Sequence, residues 1–174
     1  LIMDLEERKQ AAYAYRFLNR YLEATGDYAG LLVLPFYKNY RALVRAMVAC
    51  LRAAQEGMAA GEQELAVCTQ YLAYAQQAAL SRKPWLVLMH GLSGSGKTTV
   101  SQKLLERTGA LRLRSDIERK RLCGLPALAR GKVATDGGIY DEETTRATYL
   151  CLVKLARQVL EAGFPEVVDA ASLK

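Results

Sequence analysis

The stretch Val87–Val100, VLMHGLSGSGKTTV, constrains this 174-residue chain more than any other. Within it GLSGSGKT carries Gly91, Gly96, Lys97 and Thr98 at the spacing G-x-x-x-x-G-K-[ST]. Consecutive backbone N–H groups can wrap an anion only in conformations that a Cβ resists, which is why such loops need glycine. A helix that starts at the loop turns its positive end toward the same anion. The context fits: WLVLMH, residues 85–90, reads as a short buried strand, and a helix is expected from about Lys97 to Arg107. The loop Gly91, Leu92, Ser93, Gly94, Ser95, Gly96, Lys97, Thr98 and Thr99 is therefore read as a cradle for nucleotide phosphates. Lys97 would reach the β- and γ-phosphates of ATP and the Thr98 hydroxyl would serve as a ligand for Mg²⁺. A merely flexible Gly/Ser turn would leave the Lys-Thr-Thr run unexplained.

The rest of this half follows an alternating pattern. ALRLRS at 110–115 reads as a second strand, residues 116–122 as a short helix, and 124–138 as loop. A long helix is expected over 141–162, with acids in its first turn and Leu152, Leu155, Ala156 and Val159 on its buried face. EVVDA at 166–170 reads as a third strand. This order gives an α/β fold of the P-loop NTPase type, with a parallel sheet of about three strands. Open parallel sheets bind ligands at the carboxyl ends of their strands, which singles out RSDIERK at 114–120 and Asp169. Asp116 could orient an acceptor hydroxyl, or simply cap the helix. Arg119, three residues on, would share its face and meet an anionic acceptor or the transferring phosphoryl. Asp169 could hold Mg²⁺ directly or through water, or be an ordinary turn residue. His90 is given no role.

The first half differs in composition. Helices are expected over about 5–24, 37–55 and 62–80, with Gly26 as a C-cap. Ala11, Tyr15, Leu18 and Leu22 share one face of the first helix. Tyr40, Leu43, Val44, Met47, Val48 and Leu51 form an apolar stripe on the second, read as a buried face. Leu65, Cys68, Leu72, Ala75 and Ala79 make a narrow seam on the third. No catalytic constellation is visible there. SRKP at 81–84 reads as a linker, which divides the chain into an all-α helical subdomain, 1–81, and a phosphate-loop domain, 82–174.

Bulk properties narrow the setting. No apolar run is long enough to span a bilayer, so no membrane partner is expected. Cys50, Cys68, Cys123 and Cys151 are far apart in sequence, show no zinc spacing, and read as reduced, buried thiols of a cytoplasmic protein. Between Lys97 and Lys132 stand ten Lys or Arg against three acids, a net +7, so the rest carries about −1 of the overall +6. That field favours an anionic ligand. Nucleotide phosphates suffice. Nucleic acid is the weaker alternative, because aromatics do not interleave with the cations.

The loop alone does not name a reaction. A GTPase would add Asn-Lys-x-Asp and a downstream D-x-x-G, and a motor or transporter ATPase further sensor or signature segments; none is present. A small-molecule kinase needs only the loop, Mg²⁺, an acceptor-orienting group and cations. HGLSGSGKTT, LRSDIERKRLCGL, GGIYDEETTRATYLCLVKLARQVLEAG and EVVDAASLK together resemble the P-loop kinase-like domains related to gluconate kinases, zeta toxins and polynucleotide 5′-kinases. AYRFLNRYLEATGDYAGLLVLPFYKNYRALVRAMVACLRA is similar to the helical end of an aminoglycoside-phosphotransferase-like domain, and the two halves together resemble bacterial fusions of those modules. The resemblance implies an ATP site at Gly91–Thr98, an acceptor-side Asp at Asp116 followed by Arg119, and a strand-end Asp at Asp169. It also implies an intramolecular partner, a phosphotransferase-like lobe lying before Leu1, and a lid and further strands beyond Lys174. The expected activity is transfer of the ATP γ-phosphate to a hydroxyl acceptor, with sugar, nucleotide-sugar and polynucleotide 5′ ends all open. The alternative is a nucleotide-binding regulatory module without phosphotransfer.

Overall fold

The computed structural model describes residues 1–55, 58–79, 83–91, 94–127 and 140–170. Among them three strands, β1 (Leu86–Met89), β2 (Leu111–Arg114) and β3 (Glu166–Asp169), form a parallel sheet in the order β1-β3-β2. Register is set by β3, whose Glu166 faces Leu86 on one side and Leu111 on the other. Asp169, at the other end, lies between Met89 and Arg114. The β-branched Val167 and Val168 are buried in this central strand, as a parallel sheet covered by helices requires.

Helix α5 (Lys97–Thr108) leads from β1 to β2, and α6 (Ser115–Leu122) and α7 (Glu142–Glu161) lead from β2 to β3. Helix α7 starts on Asp141, whose carboxylate accepts a 2.6 Å hydrogen bond from the Thr144 amide. That bond lowers the Asp141 pKa, and Glu142 and Glu143 add charge suited to the helix dipole. Leu152, Ala156 and Val159 are buried, as expected, with Leu155 against the same core. The loop expected over 124–138 lies outside the described residues beyond Ala127.

One strand departs from expectation. β1 was expected to be buried, yet Leu88 is 65% exposed. Among the described residues β1 pairs only with β3, so it lies at the edge of the sheet. Its side chains line an apolar cavity of about 580 Å³ shared with Leu152, Val153 and Leu160 of α7.

The first half is helical: α1 (Ile2–Glu7), α2 (Ala11–Thr25), a 3₁₀ turn (Ala29–Leu32), α3 (Leu34–Gln55) and α4 (Met58–Ala79). The continuous helix expected from Leu5 is broken instead at residues 8–10, where Lys9 takes φ 59°. The break lets α1 fold back. Glu6 then meets the Lys38 ammonium at 2.5 Å and accepts from the Tyr74 hydroxyl, and Asp4 meets Arg45 at 3.5 Å. These ion pairs outweigh the helical periodicity. Gly26 caps α2 at φ 73°, as expected.

The apolar stripe of α3 is not a buried face. Tyr40, Leu43, Met47 and Leu51 are all at least half exposed, Val44 and Val48 are only half-buried, and the buried positions are Lys38, Ala42, Ala46 and Ala49. On α4, Leu65 and Leu72 are likewise exposed and Cys68 is buried. The small residues let the two helices approach closely: a Cβ on Gly61 would lie 3.1 Å from the Ala53 carbonyl. The thiols also differ from expectation, since Cys50 and Cys123 are exposed. Among the described residues no helix is long and apolar enough to cross a membrane.

Residues 18–31 share one core with the sheet. Leu18, Leu22, Tyr28 and Leu31 pack with Leu111, Leu113 and Phe164. Helices α3 and α4 pack mainly on each other, with lesser contacts to α1 and the 3₁₀ turn.

Glu166 sits fully buried, and among the described residues neither carboxylate oxygen has a hydrogen-bond partner. Burial pushes its pKa from 4.5 up to about 8. Between those two values the folded chain keeps a proton that the unfolded chain has released, so stability falls as pH rises. Thermal and urea unfolding of the parent should lose up to about 1.4 kcal/mol per pH unit across that window from this group. Glu166→Gln should remove that component; an unchanged slope in the variant would refute it.

Candidate functional site

The carboxyl end of the sheet holds a cavity of about 410 Å³. Its walls are the loop residues Gly94, Ser95, Gly96, Lys97 and Thr98, then Arg114, Ser115 and Asp116 after β2, and Asp169 at the end of β3. Gly94 and Gly96 take φ 80° and 83°. A Cβ at either would meet nothing within 4 Å, so these positions demand glycine for backbone conformation and not for space. Gly96 is the N-cap of α5, which places the helix's first turn, with Lys97 and Thr98, at the cavity. The Lys97 ammonium donates to the Gly91 carbonyl at 2.6 Å, folding back over its own loop. The Thr98 hydroxyl lies 3.4 Å from the Asp169 carboxylate.

Lys97, Thr98, Asp116 and Asp169 thus come together from separate elements. Leu92 and Ser93 lie outside the described residues. Gly91, Thr99 and Arg119 do not line the cavity. Asp116 does not cap its helix, because Arg114 occupies the N-cap position and no side-chain cap bond forms. Arg119 stacks its guanidinium 4.9 Å over the Tyr140 ring. Sequence reasoning gave Arg114 no role. It lines the cavity and binds Asp116 at 3.1 Å, fixing that carboxylate's direction. The signal was present in ALRLRS, because the residue that ends a parallel strand faces the ligand side.

Helix α2 supports this site from behind. Asn19 donates to the Ala110 carbonyl at 3.1 Å and accepts from the Arg112 amide at 2.7 Å. Its side-chain amide thereby occupies the outer edge of β2 as a neighbouring strand would. The Arg112 guanidinium, buried, bonds the Glu23 carboxylate at 3.0 Å and the Ser101 hydroxyl at 3.2 Å. Ser101 in turn donates to the Thr98 carbonyl at 3.1 Å. At the end of α2, Arg121 donates to the carbonyls of Leu22 and Glu23 and pairs with the buried Glu118. Glu118 also accepts from the Tyr28 phenol at 3.0 Å. Burial first, and then the Glu118 charge, push the Tyr28 pKa upward.

The family model described as an AAA domain, AAA_33, matches residues 86–174. The chain belongs to this AAA domain family. The AAA_33 family is P-loop and kinase-like, so residues 86–174 form a nucleotide-binding, kinase-like P-loop module. The fold is that of a P-loop NTPase with an α-helical region before it. Curated relatives include "Uncharacterized protein Rv2004c" and "Uncharacterized protein MT2060" of Mycobacterium tuberculosis strains and "Uncharacterized protein Mb2027c" of Mycobacterium bovis. Each is 31% identical over 172 residues, covering 97% of this chain. The chain spans 33% of the length of each. The similarity thus runs through the helical half as well as the AAA domain. No solved structure matches significantly.

The buried Arg112–Glu23 pair and the Arg20–Glu23 pair, 3.7 Å long with an exposed arginine, make predictions of unequal size. Glu23→Ala should destabilise this AAA-domain chain by about 3–5 kcal/mol, because it strands a buried guanidinium. Arg20→Ala should cost less than about 1 kcal/mol, since its partner remains satisfied and its own charge is solvated. Urea unfolding of the two variants measures both.

Proposed function

We propose that the module binds ATP·Mg²⁺ on residues 91–99 and transfers the γ-phosphoryl group to a hydroxyl acceptor held near Asp116. The reading rests on one observation: the loop, Asp116 and Asp169 face a single cavity at the carboxyl edge of the sheet. Thr98 and Asp169 offer a hydroxyl and a carboxylate oxygen side by side, donors that suit a small hard cation. Among the described residues no group of three or more His, Cys, Asp or Glu could hold a metal. Mg²⁺ held by one or two protein oxygens and completed by nucleotide phosphates and water fits that donor set. When bound, the ion would neutralise charge on the phosphate oxygens.

The chain's own residues divide the remaining tasks. Lys97 would exchange its bond to the Gly91 carbonyl for a phosphate oxygen. Asp116, steered by Arg114, would orient the acceptor hydroxyl and receive its proton. Arg119 would have to leave the Tyr140 ring to reach the transferring group, so its contribution depends on a side-chain movement. The acceptor is a hydroxyl compound; sugars, nucleotide sugars and polynucleotide 5′ ends are the classes to test. The helical half, residues 1–81, is proposed to be the end of a phosphotransferase-like lobe fused to the AAA domain at 82–174. Its helix α2 serves both parts.

A second reading is a nucleotide-binding regulatory module without phosphotransfer. The engagement of Arg119 by Tyr140 and of Asp116 by Arg114 favours it, because both candidate groups already have internal partners.

Lys97→Ala should weaken ATP binding about a hundredfold, or about 2.7 kcal/mol, measured by calorimetry. Equal affinity in the variant and parent would overturn the site assignment. Asp116→Asn should keep ATP affinity within about twofold while acceptor-dependent ADP release falls at least about a hundredfold. If ADP release across a panel of the three acceptor classes is absent in the parent, or indifferent to Asp116→Asn, the regulatory reading stands instead.

A further inference from the structure

The helical hairpin α3–α4 carries chemistry that the phosphate site does not use. Cys50 on α3 and Cys68 on α4 bring their sulfurs to 2.7 Å. A disulfide bond is about 2.04 Å long, so closure needs a movement well under an ångström. The two helices are closely packed here, because Ala46 and Ala49 in the cluster with Cys68 are small and buried, and a Cβ on Gly61 would press on the Ala53 carbonyl. The two thiols differ in access: Cys50 is exposed, whereas Cys68 is 7% exposed.

We propose that Cys50 and Cys68 form a reversible dithiol–disulfide pair, oxidised by low-molecular-weight disulfides, whose oxidised form staples α3 to α4. In the first step the Cys50 thiolate attacks one sulfur of the reagent disulfide. That S–S bond breaks, one reagent thiolate leaves, and Cys50 carries a mixed disulfide. In the second step Cys68 loses its proton and its thiolate attacks the Cys50 sulfur, expelling the second reagent thiolate. The protein gives up two electrons and two protons, and the reagent disulfide takes both to become two thiols. The order follows from access and from the hydrogen bond between the sulfurs. That bond first, and burial second, hold the Cys68 thiol protonated above its ordinary range, leaving Cys50 to meet the reagent. Cys123 is exposed too, but no second cysteine is paired with it among the described residues. The same reagent there should stop at the mixed disulfide.

Peptide mapping after incubation with glutathione disulfide tests the assignment on the whole chain and independently of any nucleotide. The expected product is a Cys50–Cys68 cross-linked peptide, lighter than the reduced pair by two hydrogens and carrying no glutathione. A dithiol reductant should return both residues to full alkylation. In Cys68→Ser the resolving thiol is gone, so Cys50 should accumulate one glutathione. Two results would overturn the proposal: a stable glutathione adduct on Cys50 in the parent, or full alkylation of both cysteines after the incubation.

Discussion

The docking of α2 against the outer edge of β2 is the contact on which the rest of the molecule depends. β2 ends the sheet on that side and would otherwise present unpaired amides and carbonyls. Asn19 satisfies the edge with one amide that both donates and accepts, and stays 4% exposed while doing so. Four residues along the helix, Glu23 neutralises Arg112. A charged residue in a strand buried on both faces is costly without such a partner. The sequence LRLR can therefore be a buried edge strand because α2 supplies a carboxylate at this point.

The same arginine connects the helical half to the phosphate loop. Its guanidinium reaches Ser101, and Ser101 reaches the carbonyl of Thr98 in the first turn of α5. Side chains of α2 thereby fix the position of a helix start whose other face lines the cavity. The division of the chain by composition does not coincide with a division of its packing, since the core joins Leu18 and Leu22 to Leu111 and Leu113. The two edges of the sheet are also unlike. Asn19 occupies the edge of β2, while β1 leaves Leu88 exposed and borders an apolar hollow against α7.

Much of this was legible in the sequence where chemistry is tied to spacing. The glycines, Lys97 and Thr98 follow from the geometry of phosphate binding, and the strand and helix around them follow from apolar runs. Asp169 was legible because a parallel strand ends toward the ligand side. Other features were hidden because periodicity does not record partners. On α3 two neighbouring stripes are both apolar, one of large residues through Tyr40, Leu43 and Met47, the other of Ala42, Ala46 and Ala49. The helix buries the small one, since close approach to α4 requires small side chains at the seam. Nothing in the stripe pattern alone ranks the two. Likewise the edge position of β1 depends on strand order, and the roles of Asn19, Glu23 and Arg114 depend on what crosses them in space.

Charge placement bears on the kind of anion the basic segment can serve. Of the cations between Lys97 and Lys132, Arg112 is spent on Glu23, which ties β2 to α2, and Arg121 on Glu118 within α6 and on the Glu23 carbonyl of α2. Arg114 is held by Asp116, and Arg119 lies over Tyr140. Four of the ten cations in this segment are thus engaged by partners within the fold. At the cavity itself the charge is of mixed sign: Lys97 over its own loop and the first turn of α5, with two carboxylates in the same lining. A compact phosphate group accompanied by a cation matches that arrangement of mixed sign, whereas a bare polyanion would meet Asp116 and Asp169 at the same opening. At this opening the charge pattern thus suits a compact phosphate group better than an extended nucleic-acid strand, and it does so through the acids as much as through the bases.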